Sequence, residues 1–169
     1  MPSPAHAPLY TPEQRARRDA TRWTLVQGVL APLQFVVFAV SVVLVLRYLA
    51  TGAGYEAATL SVVLKTGLLY TIMVTGCVWE KVVFDRWLFA PAFFWEDVFS
   101  MAVLALHTAY LVALYAGLAG PQALMALALA AYAAYLVNAT QFVLKLRAAR
   151  LQERQPAAQP LAHPVEAST

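Results

Sequence analysis

Four apolar runs, residues 23–46, 57–78, 93–116 and 121–144, fix the class of structure open to this chain. Each is long enough to cross about 30 Å of hydrocarbon as a helix. In lipid every backbone N–H and C=O needs an internal partner, so runs of this length fold as helices. The expected architecture is all-α: a polytopic membrane protein with four transmembrane helices. Composition agrees, since only 12% of the residues are charged, roughly half the share in soluble domains. The organisation that follows is a polar N-terminal tail and juxtamembrane helix over 1–22, the four-helix domain over 23–150, and a disordered Pro/Ala-rich tail over 151–169. Residues 1–22 are polar, and the run behind them is too long for a signal-peptide core, so no cleavable signal is expected.

The cations lie at the ends of the runs. Arg15, Arg17, Arg18 and Arg22 precede the first; Lys81 and Arg86 separate the second from the third; Lys145, Arg147, Arg150 and Arg154 follow the fourth. The other two connections carry none, apart from Arg47 at a helix end. With an even number of spans all three basic segments fall on one side, and the Lys/Arg bias puts both termini in the cytoplasm. Placed this way, the cations answer to lipid headgroups and not to nucleic acid. Thr11 followed by Pro12 reads as a helix start, N-cap then first helical position, for a helix that continues toward Trp23. Inside the first run, Gln27 and Gln34 share a face and are expected to bond a neighbouring helix. Lys65 is expected to snorkel to the nearer interface.

One stretch, residues 79–97 (WEKVVFDRWLFAPAFFWED), concentrates six charged residues and three of the four tryptophans. Its carboxylates are Glu80, Asp85, Glu96 and Asp97. Acids in the first turn of a helix are favoured by its dipole, which is a sufficient structural reason for Glu96 and Asp97. The functional reading is that a carboxyl boxed among Phe93, Phe94 and Trp95 is partly desolvated, which favours the protonated, proton-donating form. Glu96, Ser100, Val103, His107 and Tyr110 share one helix face. Glu96 and His107 are about 16 Å apart along it, as mouth and floor of one cavity. An intramembrane histidine is a functional candidate by default, and equally a structural one bonded to a neighbouring helix.

Several chemistries are excluded by the residue inventory. Bis-histidine haem ligation needs two intramembrane histidines, and His6 and His163 are in the tails. There is one cysteine, Cys77, and no Cys/His cluster for zinc. No phosphate-cradling Gly loop, serine elbow or dinucleotide fingerprint is present. Any reaction must run on acid–base groups and on what the substrate brings.

The segments LYTPEQRARRDATRWTLVQGVLAPLQFVVF, LYTIMVTGCVWEKVVF, LFAPAFFWEDVFSMAVLALHTAYLVAL and VLKLRAARLQ, spanning residues 9–152, closely resemble the vinyl bacteriochlorophyllide hydratase (chlorophyllide 3-vinyl hydratase) family. The resemblance implies a hydro-lyase of bacteriochlorophyll biosynthesis. Its reaction is addition of water to the 3-vinyl group of a chlorophyllide, giving a 3-(1-hydroxyethyl) product. It further implies residence in the bacterial inner or intracytoplasmic membrane, a tetrapyrrole substrate that carries its own Mg, and no separate cofactor. Other enzymes of the pathway are candidate partners. Residue roles come from chemistry alone. Glu96, Glu80, Asp97 and His107 are the candidate acid–base groups, with Glu96 as donor, Glu80 as base and His107 alternatively a ligand of the substrate Mg. Trp79, Phe93, Phe94, Trp95 and Tyr110 are candidate walls for the macrocycle. Lys81, Arg86 or Lys145 would hold its propionate. Two rivals stand beside the enzyme: a non-catalytic pigment carrier or assembly protein, which would need the aromatic cleft but no carboxylate, and a small transporter, against which the one-sided tryptophans and missing repeats count.

Overall fold

The computed structural model of the chain describes residues 9–154 as five helices: α1 (Pro12–Ala20), α2 (Arg22–Thr51), α3 (Tyr55–Phe84), α4 (Phe94–Tyr115) and α5 (Pro121–Arg154). Of the tail expected to be disordered over 151–169, residues 151–154 instead continue α5 as helix, and residues 155–169, like residues 1–8, lie outside the described residues. The last four helices are long and apolar enough to cross a membrane, as the four runs require. Each of these helices except α4 outlasts its apolar run, since helix formation continues until a stop signal is met and not until the hydropathy falls. α2 ends at Gly52, which takes the left-handed conformation (φ 71°) that glycine adopts without a Cβ penalty. Gly54, also left-handed, turns the chain into α3. α5 begins on Pro121 and continues past residue 150.

The N-terminal cap forms as the sequence predicts. Thr11 Oγ1 accepts from the Gln14 N–H while the Gln14 side chain accepts from the Thr11 N–H, with Pro12 in the first turn. The helix does not run on to Trp23, however. Thr21 is extended (φ −85°, ψ 138°), closing α1 and capping α2 through its hydroxyl. Thr24 then donates to the Arg18 carbonyl across the break, so α1 is a separate arm that packs against α3.

α2 packs along α3 and α4 along α5, and α5 also meets α2 to close the bundle. Side-chain hydrogen bonds fix the registers. Gln27 donates to Thr75 at 2.8 Å and Ser41 bonds Ser61 at 2.7 Å between α2 and α3; Asn138 donates to Ser100 at 2.8 Å between α5 and α4. Such bonds are a main adhesive where lipid removes the hydrophobic drive between helices. The interior is small-residue and aromatic, with Ala58, Ala128 and Ala131 beside Tyr110, Tyr132 and Met125. Large aliphatic side chains such as Val36, Val40 and Val43 point outward, as expected of a surface solvated by acyl chains.

Lys65 departs from expectation. It does not snorkel: the residue is fully buried, and its ammonium nitrogen stands 3.7 Å from the centroid of the Tyr135 ring on α5. The aromatic face offers a cation partner inside the bundle, so the side chain turns inward.

Candidate active site

The basic end of the bundle carries the site. α3 ends at Phe84 because Asp85 is left-handed (φ 60°), and a short irregular loop leads to α4. Lys81 reaches forward to Asp85 at 2.6 Å. That hydrogen bond, with the charge behind it, holds the exposed Asp85 carboxyl below its ordinary range. Phe89 is left-handed too (φ 57°), an uncommon state for a residue with a large side chain.

That second turn folds the loop backbone over two acids. The Phe89 N–H donates to Asp97 Oδ2 at 2.9 Å, and the Ala90 N–H donates to Glu80 Oε2 at 3.2 Å. Glu80, from the last turns of α3, and Asp97, from the first turn of α4, are both buried beneath this loop, within side-chain interaction reach of each other. The neighbouring Glu96 points to α5, where Lys145 Nζ lies 2.6 Å from its Oε2. Glu96, the proton donor expected from the sequence, is thus ion-paired with Lys145 in the structure. Of the three acids in the helix ends, Glu80 and Asp97 lie side by side under the loop amides, and Glu96 pairs with a cation.

Beneath them lies an aromatic cluster. Phe93, 2% exposed, stacks on Phe142 and meets Trp79 and Phe84 edge-on. Tyr10, just before α1, stacks on Phe84 at 5.8 Å, which pins the N-terminal arm to this end. Trp79 donates its indole N–H to Thr24 at 2.9 Å. Trp79 and Phe93 are thus packed together in the aromatic cluster at this end of the bundle. Phe94 and Trp95 turn outward, edge to face at 5.5 Å, and with Trp87 and Phe89 they form an exposed aromatic rim beside the carboxyl pair. Arg86 is exposed next to it.

The sequence-predicted residues thus divide into three groups. Glu80, Glu96, Asp97, Trp79 and Phe93 come together; Lys81, Arg86, Phe94 and Trp95 border them on the outside. His107 and Tyr110 are fully buried deeper in the bundle, with the His107 ring 5.8 Å from Tyr132. They share the α4 face with Glu96, Ser100 and Val103, as the spacing requires, but not its end. The sequence reading missed the amides of Phe89 and Ala90, for which no glycine announced a turn, and the pairing of Lys145 with Glu96. A signal for the second exists: Asn138 and Lys145 are seven apart on one face of α5, opposite Ser100 and Glu96 on α4. Among the described residues, no group of three or more His, Cys, Asp or Glu side chains converges as a metal site.

Residues 10–148 match the family described as 2-vinyl bacteriochlorophyllide hydratase. A 2-vinyl bacteriochlorophyllide hydratase of Cereibacter sphaeroides is 70% identical over 151 residues, covering 89% of this chain and 93% of that protein. One from Rhodobacter capsulatus is 67% identical over 150 residues, covering 89% and 87%. No solved structure matches.

Proposed function

The chain belongs to the 2-vinyl bacteriochlorophyllide hydratase family, and from that premise we infer that it hydrates the ring vinyl group of a bacteriochlorophyllide-type macrocycle with the Glu80–Asp97 pair as its acid and base. (The vinyl substituent is numbered 2 in the older tetrapyrrole scheme and 3 in the current one.) Addition of water neither oxidises nor reduces the substrate overall, so the reaction as proposed calls for no redox cofactor.

The observation that carries this assignment is the placement of the pair: two buried carboxyls side by side, each accepting from a loop amide of Phe89 or Ala90, next to an exposed aromatic rim. A flat apolar macrocycle dissolved in the membrane would lie on Trp87, Phe89, Phe94 and Trp95, whose faces offer stacking. Its propionate would extend to the headgroup level, where Arg86 is exposed and Lys81 is half-exposed. The proton shared by the carboxyls goes to the terminal vinyl carbon, forming the new C–H bond as the C=C π bond is lost. The macrocycle spreads the resulting positive charge. A water oxygen then bonds to the inner carbon and returns its proton to the carboxylate, which restores the pair and leaves a 1-hydroxyethyl group. The Glu96–Lys145 ion pair fixes the residue next to Asp97 and does not exchange the proton.

The family's role in bacteriochlorophyll synthesis supports the bacterial inner membrane as the setting, and the Lys/Arg bias supports a cytoplasmic basic end. A pigment carrier would need the rim but not two buried acids facing each other.

The test is expression in a pigment-free host, with vinyl substrate fed to the membranes. A product heavier by one water is expected from the unsubstituted protein. Product formation that survives Asp97→Asn and Glu80→Gln together would remove the pair from the reaction.

A further inference from the structure

The bundle holds a second polar assembly that the carboxyl pair does not use. Lys65 on α3 and His107 on α4 are 0% exposed and Gln34 on α2 is 1% exposed. Lys65 Nζ, His107 Nε2 and both amide atoms of Gln34 have no hydrogen-bond partner in the protein. So does Oδ1 of the buried Asn138 on α5. The His107 Nδ1–H donates to the Val103 carbonyl at 2.8 Å, which leaves Nε2 as an acceptor. Unpaired polar atoms are costly in any interior, and more so in one surrounded by lipid.

These atoms are stacked along the membrane axis. Lys65 sits on Tyr135, and Phe38 packs on both Tyr132 and Tyr135. The Ser41–Ser61 and Gln27–Thr75 bonds place Gln34 level with residues 68–69, one turn nearer the basic end than Lys65. Asn138 and Ser100 come next, one turn of α4 from Glu96 and Asp97. Donors (the Lys65 ammonium and the Gln34 amide) and acceptors (His107 Nε2, Gln34 Oε1 and Asn138 Oδ1) are both present among them. Water is the small ligand that serves both, and a buried water typically makes about three such bonds.

We propose that Lys65, His107, Gln34 and Asn138 bind a short file of ordered waters inside the bundle, and that this file supplies the water consumed at the carboxyl pair. From His107 to Ser100 is two helical turns, about 10 Å, a distance spanned by about three waters at hydrogen-bond spacing. A route through the interior suits the chemistry, because a macrocycle lying on the aromatic rim covers the pair from outside. Occupancy by water stands independently of the reaction; the supply role rests on the hydration reading.

X-ray hydroxyl-radical footprinting of the full chain in lipid nanodiscs decides both parts. Radicals formed from held waters oxidise side chains that bulk solvent does not reach. Tyr132 and Tyr135, at 2% and 9% exposure, are expected to be oxidised alongside the exposed Tyr115, with the ¹⁸O label appearing after mixing with H₂¹⁸O. Tyr132 and Tyr135 left intact while Tyr115 is oxidised would overturn the water file. Gln34→Leu is expected to lower Tyr135 labelling and kcat each several-fold at unchanged KM; Lys65→Met is the second variant should the first not fold. Lost labelling with full turnover would overturn the supply role. The footprint needs no turnover, so an unsubstituted protein that fails to hydrate vinyl substrate would defeat the hydration reading without deciding the water file.

Discussion

Lys145 on α5 holds Glu96 on α4 through a 2.6 Å ion pair, and the carboxylate beside it, Asp97, faces Glu80 instead. Two adjacent acids in the first turn of one helix are thereby given opposite partners, a cation and a second carboxyl. Adjacent helical positions point about 100° apart, enough to send one side chain to α5 and the other to α3. The dipole at the start of α4 favours both, but it does not distinguish them; the partners do.

The first prediction separates these two acids by rate. Asp97→Asn and Glu80→Gln each remove one half of the proposed acid–base pair and are expected to lower kcat by about 10²–10⁴, the usual scale of lost acid–base catalysis. Glu96→Gln is expected to stay within about tenfold of the unsubstituted rate, since it keeps its shape and loses only an ion pair outside the proton path. Turnover measured in membranes at matched protein levels decides between them. The reverse ranking would restore Glu96 as the donor.

The ion pair itself is tested by stability. Lys145→Met leaves a buried carboxylate without its cation and is expected to cost about 1–3 kcal/mol. The double variant Lys145→Met, Glu96→Gln removes both charges and is expected to recover most of that loss, because an apolar or neutral pair often matches a buried ionic one. Thermal unfolding in detergent reads both. Additive losses in the double variant would mean the two side chains are not coupled.

How much of this was legible beforehand follows the physics of each feature. Span number, the Thr11 cap and the common face of Ser100, His107 and Tyr110 are set by hydropathy, cap chemistry and helical period, all local in sequence. Lys65 was misplaced because a snorkelling rule knows nothing of Tyr135, seventy residues away. The loop over the acids depends on left-handed backbone at Asp85 and Phe89, neither a glycine. Glu96 and Asp97 could be placed at one helix start but not given partners, since partners come from the packing of α3 and α5.

Substrate anchoring is expected of Arg86. It is exposed beside the aromatic rim and its propionate contact would be alike in ground and transition states, so Arg86→Ala should raise KM more than it lowers kcat. Comparing free acid with esterified substrate checks the role independently. Equal turnover of the ester by the unsubstituted protein would rule out a propionate contact.

Topology follows from the basic end. Reporter fusions near the N-terminus and after Gln152 are expected to read cytoplasmic, and one at Gly54 periplasmic. A periplasmic reading after Gln152 would invert the site's side of the membrane.

The last prediction concerns Phe89, whose two roles pull against each other. Its left-handed backbone (φ 57°) is what aims its N–H at Asp97, and that conformation costs an L-residue about 1–2 kcal/mol. Its ring is part of the exposed rim, 5.7 Å from Phe94. Phe89→Gly removes the backbone strain while keeping the N–H, so the folded state is expected to hold or gain stability, with glycine's larger unfolded-state entropy offsetting part of the gain. The same change removes a stacking surface, so KM for the macrocycle is expected to rise several-fold with kcat little altered. Phe89→Ala keeps the strain and loses the ring, and should show the KM rise without the stability gain. Unfolding midpoints and steady-state kinetics on the two variants together separate the roles. If Phe89→Gly binds substrate as well as the unsubstituted protein, the rim does not include Phe89; if it is clearly less stable, the left-handed turn is not a source of strain.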